Sequence, residues 1–338
     1  MGSSKVSRFL FLLAQPFVAA FPAFAAEPLP TLAASLENLT VSGLSSGGFM
    51  AVQFHIAHSS LVRGAGVLAA GPYYCAQGNA SLALSACMSP SFFVPVPELK
   101  NLIREVHEQA RKKHIDAPEA LQNSRVWIFS GERDRTVKRE VVNALYTFYR
   151  TWLPDPAVHY EKHPEAGHAM IAPDAPGAHA CSASSVPFIN RCDDFDAPGR
   201  LFAHLLGELK PPAAKDAGDL VVFDQSVFTN DGAGMASNAY VYIPSDCRQG
   251  GCRIHVAFHG CRQQGEVLGS LYAKGAGYNR WAESNRLIVL YPQTAKSSMN
   301  PNGCWDWWGY TGPDYHLASA RQIRAVKAMV EHLARKKP

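Results

Sequence analysis

Apolar positions along the chain fall into short runs closed by glycine or polar residues, and longer stretches with a helical rhythm separate them. Eight runs read as strands: 39–43 (LTVSG), 64–71 (GAGVLAAG), 125–131 (RVWIFSG), 158–163 (VHYEKH), 219–228 (DLVVFDQSVF), 238–244 (NAYVYIP), 253–260 (RIHVAFHG) and 286–293 (RLIVLYPQ). They are rich in β-branched and aromatic residues. Helices are predicted over 47–58, 97–113, 137–152, 197–208, 267–285 and 316–335. The last carries Leu317, Ala320, Ile323, Val326, Ala328 and Val330 with arginine and lysine between them. Strands alternating with helices predict an α/β fold with a single, mostly parallel sheet flanked by helices. One polar, proline-containing segment, 207–218 (GELKPPAAKDAG), reads as a linker. It divides the chain into halves 38–206 and 219–335 with four strands each.

The first 26 residues follow another pattern. Lys5 and Arg8 precede an apolar run from Phe9 to Phe21, interrupted by Gln15 and Pro16, and Ala23-Phe24-Ala25 follows. That is the layout of a secretory signal peptide over 1–26. The run is too short for a stable membrane anchor, and no later run reaches about 18 apolar residues. Residues 27–338 are therefore expected to be soluble and secreted, to the periplasm or the medium. With 47% hydrophobic and 18% charged residues in 338, disorder is excluded. Loss of Lys5 and Arg8 lowers the formal charge from +4 to +2. That is too little to predict a nucleic-acid or membrane partner. The charged stretch ERDRTVKRE, Glu132 to Glu140, reads as a solvated loop entering a helix.

All eight cysteines lie beyond the signal segment. In an oxidising compartment they are expected to pair. Proximity favours Cys75 with Cys87, Cys181 with Cys192 and Cys247 with Cys252, which leaves Cys261 and Cys304. No C-x-x-C or Cys/His cluster has zinc-ligand spacing, so no metal is expected.

The candidate chemistry starts in VSGLSSGGFMA, Val41 to Ala51. Gly43-Leu44-Ser45-Ser46-Gly47 fits G-x-S-x-G in one register, because centring on Ser46 would require glycine at Leu44. A strand precedes the motif and a helix follows, which is the setting of a nucleophile elbow. Ser45 then stands at a helix N-terminus as nucleophile, with the Ser46 N–H as an oxyanion donor. A serine nucleophile needs a base, and the base needs an orienting carboxylate. The loop after strand 125–131 offers Glu132 and Asp134; Asp134 is the choice, carried over the site as the loop leaves the strand. The loop after 158–163 offers His163 and His168; beside His168, Ala166 and Gly167 leave the imidazole room to turn toward Ser45.

The elbow comes early. An α/β-hydrolase usually has a strand ending in His-Gly before the nucleophile strand, supplying the second oxyanion N–H. Here that strand is IHVAFHGC, 254–261, placed after the triad. The order is rotated, which predicts a circularly permuted α/β-hydrolase forming one catalytic domain over 27–338. Cys261 supplies the second oxyanion N–H, and a Cys261–Cys304 bridge would hold that loop.

Together SGLSSGGFMA, AAGPYYCA, HVAFHGCRQ, LIVLYPQ and NPNGCWDWWGY resemble the poly(3-hydroxybutyrate) depolymerase family of the circularly permuted α/β-hydrolase type, over about 38–332. The resemblance implies Ser45 as nucleophile, Asp134 as acid, His168 as base, and Ser46 and Cys261 as oxyanion donors. It implies a crevice tryptophan among Trp305, Trp307 and Trp308, with Trp307 favoured. The function it implies is a secreted serine esterase cleaving polyester, poly(3-hydroxybutyrate) or its oligomers, through an acyl-enzyme. No cofactor is called for, and a monomer suffices. Similar proteins include hydrolases of poly(aspartic acid), whose negative charge the basic residues of SGERDRTVKRE would suit; a feruloyl or acetyl esterase is the further alternative. With no separate polymer-binding module expected, attachment would fall to exposed apolar side chains of the catalytic domain.

Overall fold

The structure, a computed structural model, describes residues 1–2 and 26–336. The signal-peptide features Lys5, Arg8, Phe9 to Phe21 and Ala23-Phe24-Ala25 lie outside the described residues.

The strands are β1 (Glu27–Pro28), β2 (Ser35–Leu44), β3 (Val62–Leu68), β4 (Arg125–Gly131), β5 (Val158–His163), β6 (Met170–Ile171), β7 (His179–Ala180), β8 (Ile189–Arg191), β9 (Asp219–Asp224), β10 (Asn238–Ile243), β11 (Arg253–Phe258) and β12 (Leu287–Tyr291). The helices are α1 (Ser46–Ala57), α2 (Ala80–Leu84), α3 (Leu99–Arg111), α4 (Arg139–Tyr149), α5 (Ala197–Leu206), α6 (Gly265–Leu268), α7 (Leu271–Gly275), α8 (Tyr278–Ser284) and α9 (Arg321–Ala334). Nine strands form one sheet in the order β1-β9-β10-β12-β11-β2-β3-β4-β5. Only β10 runs antiparallel to its neighbours. The short strands β6, β8 and β7 make a separate sheet.

The strand order carries the permutation. Chain 35–163 starts at the centre with β2 and moves outward through β3 and β4 to the edge strand β5. The linker then returns the chain to the far side of the sheet, where β9 begins the second half. From there β10, β12 and β11 fill inward until β11 lies parallel to β2, with Val256, Ala257 and Phe258 opposite Val41, Ser42 and Gly43. The result is a circularly permuted α/β-hydrolase sheet, mostly parallel and flanked by helices. The linker runs along α8, where Ala213 N–H donates to Arg280 O at 2.9 Å and Lys210 N–H to Asn285 Oδ1 at 2.9 Å.

Central strands are covered on both faces, so β12 and the last six residues of β2 are apolar or small without alternation and fully buried. The helix α1 packs on β2, β3 and β11 and buries all twelve of its residues, which suits its lack of a polar stripe. A small polar cluster crosses this core. Thr40 Oγ1 and Ser42 Oγ bracket the His255 ring at 2.8 and 2.7 Å. Burial holds His255 down to about 3, so it stays neutral.

The structure revises several expected elements. The helix expected over 267–285 is three short ones, broken where Gly269 and Gly277 take positive φ of 56° and 87°. The last helix starts at Arg321 rather than 316, because Ala320 is extended. The strand expected over 219–228 ends at Asp224, and a single helical turn, Ser226–Phe228, follows. The small sheet β6–β8 and the short α2 carried no sequence signal, being two to five residues long.

Candidate active site

The site lies at the C-terminal ends of the central strands, beginning with the turn out of β2. Ser45 sits there at φ 57° and ψ −121°, a conformation that costs a non-glycine residue on the order of 1–3 kcal/mol. The flanking glycines permit it. A Cβ on Gly43 would stand 2.2 Å from Gly47 O, and one on Gly47 would stand 2.3 Å from Phe258 O and 2.4 Å from His259 O. The first glycine lets the turn fold on itself; the second lets it press against β11. Ser45 N–H donates to Leu68 O at 2.9 Å, and Ser45 O accepts from Phe49 N–H at 2.9 Å. Ser46 opens α1, where the first N–H groups have no helical acceptor. Its hydroxyl faces inward and accepts from Trp305 N–H at 3.4 Å.

The loop after β4 presents Asp134. Its Oδ1 accepts from the N–H groups of Thr136 and Val137 at 2.8 and 3.0 Å, which fixes the carboxylate. Its Oδ2 lies 2.7 Å from His168 Nδ1. A carboxylate only accepts, so Nδ1 carries the proton and Nε2 is left as the basic nitrogen. Both side chains are buried. His168 N–H donates to Ser184 Oγ at 2.9 Å, and the Phe188 ring stands edge-on to the imidazole. The other two candidates are elsewhere. Glu132 pairs with Arg139 at 2.6 Å, and His163 packs edge-on against Phe195 beside the Cys181–Cys192 disulfide. His163, Cys181 and Cys192 are close enough to suggest a metal cluster, but the two sulfurs are bonded to each other and cannot both act as thiolate ligands. Within the basic segment, Arg133 pairs with Glu165 at 3.2 Å and Lys138 donates to Pro90 O at 3.2 Å.

The facing wall follows β11. His259 Nδ1 donates to Gly260 O at 2.8 Å, and Nε2 accepts from Thr294 N–H at 3.2 Å. Burial holds this ring down to about 4, so it is a neutral strut. Cys261 is bonded to Cys304. Among the described residues no acceptor takes the Cys261 N–H. Gln263 holds the loop: Oε1 accepts from Gly260 N–H at 2.7 Å, while Nε2 donates to Pro187 O at 2.8 Å and Phe188 O at 3.2 Å. One buried side chain thus ties the Cys261 loop to the segment flanking His168. The remaining cysteines pair as Cys75–Cys87, Cys181–Cys192 and Cys247–Cys252.

The tryptophan segment hangs on Asp306. Its carboxylate accepts from Trp308, Gly309, Tyr310 and Thr311 N–H at 2.7–3.2 Å and from Thr311 Oγ1 at 2.7 Å. Burial pushes this carboxyl above its ordinary value, and those donors oppose the shift. Trp307 stacks on Phe49 with ring centres 4.0 Å apart, and Trp308 stands edge-on to Trp307. Trp305 does not reach the cleft: it is fully buried, edge-on to Phe258 at 5.0 Å, and packs the wall from behind.

Between the walls lies a cleft of about 490 Å³. Ser45, His168 and Cys261 line it together with Leu84, Met88, Phe188, Met299, Trp307 and Trp308. A second cavity of about 340 Å³ lies beside the linker, lined by Pro212, Tyr242 and Trp281 and by none of these residues. Sequence reasoning missed Gln263, Asp306, Ser184 and Phe188. Gln263 and Asp306 are polar residues inside the motifs HGCRQ and CWDWWGY. Ser184 and Phe188 lay in an irregular stretch with no pattern to single them out.

No family model matches the chain. The chain is 41% identical over 316 residues to a poly(3-hydroxybutyrate) depolymerase of Delftia acidovorans, a match covering 92% of this chain and 62% of that protein. It therefore spans less than two thirds of that relative's length. It is 31% identical over 329 residues to a polyhydroxybutyrate depolymerase of Talaromyces funiculosus, covering 91% of this chain and 93% of that one. Among solved structures, the PHB depolymerase from Penicillium funiculosum superposes with a TM-score of 0.84 at 28% identity, covering 91% of this chain and 98% of that one. A serine-to-alanine PHB depolymerase complexed with an R3HB trimer superposes with a TM-score of 0.83 at 28% identity and the same coverage.

Proposed function

The chain belongs to the polyhydroxybutyrate depolymerase family, and from that premise we propose that it is a secreted serine esterase that hydrolyses poly(3-hydroxybutyrate) or its oligomers. The observation that carries this reading is the buried Asp134–His168 hydrogen bond beside a cleft that His168 and Ser45 both line. In the proposed reaction, His168 Nε2 takes the Ser45 proton as Ser45 Oγ attacks the ester carbonyl. The Ser46 and Cys261 N–H groups receive the oxyanion, where losing one donor typically costs about 10²–10³ in rate. The tetrahedral intermediate collapses, the alkoxide leaves with the proton from His168, and an acyl-enzyme remains. Water then repeats the sequence and frees the acid. Asp134 holds the imidazole tautomer throughout.

Trp307 and Trp308 are proposed to line the acyl path. We also propose that 27–338 is one catalytic domain acting as a monomer. Secretion is supported by four disulfides, and among the described residues no helix is long and apolar enough to cross a membrane. Attachment to solid polymer would draw on exposed apolar groups, of which Phe92 and Phe93 are the largest. The test is hydrolysis of amorphous and crystalline poly(3-hydroxybutyrate), poly(aspartic acid) and a feruloyl ester by purified protein and by Ser45→Ala. Clearing of the polyester by the first and not by the second is expected. Turnover of poly(aspartic acid) or the feruloyl ester alone would overturn the reading.

A further inference from the structure

Apart from His168, the cleft is lined by apolar and uncharged polar side chains, with one fixed charge among them. Among the described lining residues no aspartate or glutamate appears, and Arg262 is the single arginine or lysine. It is exposed, and among the described residues no carboxylate pairs with it. Its neighbours in sequence are the Cys261 N–H, proposed for the oxyanion, and Gln263, which fixes the loop.

The backbone gives a second reason to look at this residue. Arg262 has φ 63°, the left-handed region that favours glycine. The backbone here is tied to the 302–304 segment: Arg262 N–H donates to Asn302 O at 2.8 Å, and Cys261 is bonded to Cys304. Glycine would meet the backbone demand at lower cost. The strain therefore comes with a guanidinium kept at the cleft, and an outlier of this kind points to a role for its side chain.

An unpaired guanidinium in a neutral cleft fits one anion, since its fork of N–H donors matches a carboxylate. A linear polyester has one permanent negative charge, the carboxylate at its acid end, and every ester inside it is neutral. We propose that Arg262 captures that terminal carboxylate and makes the cleft selective for acid-ended oligomers. Because serine attacks the carbonyl and expels the alcohol, the acid end lies on the leaving-group side of the scissile bond. Arg262 then holds the leaving fragment beside the oxyanion loop, and cleavage falls near the acid end of short chains. A single cation suits one chain end better than a polyanion, whose repeated charges would need a row of cations.

This inference rests on the esterase reading above and is tested separately from it. The trimer of 3-hydroxybutyrate is offered as the free acid and as its methyl ester, to the natural protein and to Arg262→Gln. The natural protein should favour the acid in kcat/KM, and Arg262→Gln should lower the acid-to-ester ratio about tenfold, as expected for loss of a charge-assisted contact. Added salt should erode the acid preference of the natural protein alone. In Ser45→Ala, calorimetric binding of the acid should weaken on adding Arg262→Gln more than binding of the ester. Hydrolysis of both substrates with an unchanged ratio would overturn the role of Arg262 and leave the esterase reading standing. Hydrolysis of neither would overturn both.

Discussion

On the Ser45 side of the cleft, main chain packs against main chain; on the Cys261 side, side-chain amides and carboxylates set the geometry. Gly43 and Gly47 bring the elbow to within contact of its own turn and of β11, leaving no room for a single added carbon. Across the cleft, Gln263 and Asp306 hold loops that have no regular structure, helped by the Cys261–Cys304 bond. The two walls should therefore fail in different ways. The elbow should fail by exclusion, since anything larger than glycine cannot fit. The facing wall should fail by loosening, since its loops would stay in place while their donors drift.

The largest effect should come from Gly47→Ala. Its Cβ would meet two backbone oxygens, which cannot swing away as a side chain can. A loss of about 3 kcal/mol or more in unfolding free energy is expected, with esterase activity falling alongside. Urea unfolding followed by fluorescence checks it. A stable, active Gly47→Ala would mean that the main chain gives way more easily than the close approach implies.

Next comes Gln263→Met, which keeps the volume and removes the three hydrogen bonds. The expected outcome is a fall of about 10² in kcat with little change in KM, since the Cys261 N–H proposed to receive the oxyanion is the group that drifts. Steady-state kinetics on a soluble ester give both constants. A variant that instead raised KM at constant kcat would show that Gln263 shapes the cleft for binding and does not position the donor.

This contrast also explains what could be read from the sequence. The elbow was legible because its requirements are local: two glycines, a serine, a strand before and a helix after, all within a few residues. The permuted order was legible because IHVAFHGC and LTVSG are each recognisable alone, although they meet only in the sheet. The His168 loop was legible through Ala166-Gly167-His168. The Cys261 wall was harder. The Asp306 carboxylate makes its bonds within five residues, yet aromatic neighbours mask it as a core loop. Gln263 acts on Pro187 and Phe188, some 75 residues away in the chain, and no local pattern announces that. Trp305 shows the limit for a run of like residues: three tryptophans within four positions look equivalent until the fold turns one inward.

The smallest effect, taken per ring and per pH unit, comes from buried histidines. His55 near the C-terminal end of α1, bonded to the Tyr149 hydroxyl, is held down to about 3, His255 between β11 and β2 to about 3, and His259 on the facing wall to about 4, in each case by burial. An unfolded chain takes up these protons near the ordinary histidine value of about 6.5, while the folded chain resists until the pH approaches those lowered values. Their contribution to stability is therefore complete above about pH 6.5 and drains as the pH falls below it, at up to about 1.4 kcal/mol per pH unit for each ring. Unfolding free energy measured at steps from about pH 7 to pH 4.5 should show this slope, and His255→Gln should flatten it by one proton. An equal slope in the variant would mean that His255 is protonated in the folded protein.

The elbow is proposed to present Ser45 as an activated nucleophile in a cleft completed by residues from both halves of the chain. Labelling with a fluorophosphonate, followed by peptide mass mapping, tests it most directly. One adduct per chain is expected, on Ser45, formed more slowly in Asp134→Asn and absent in Ser45→Ala. An adduct on another serine, or undiminished labelling of Ser45→Ala, would contradict it.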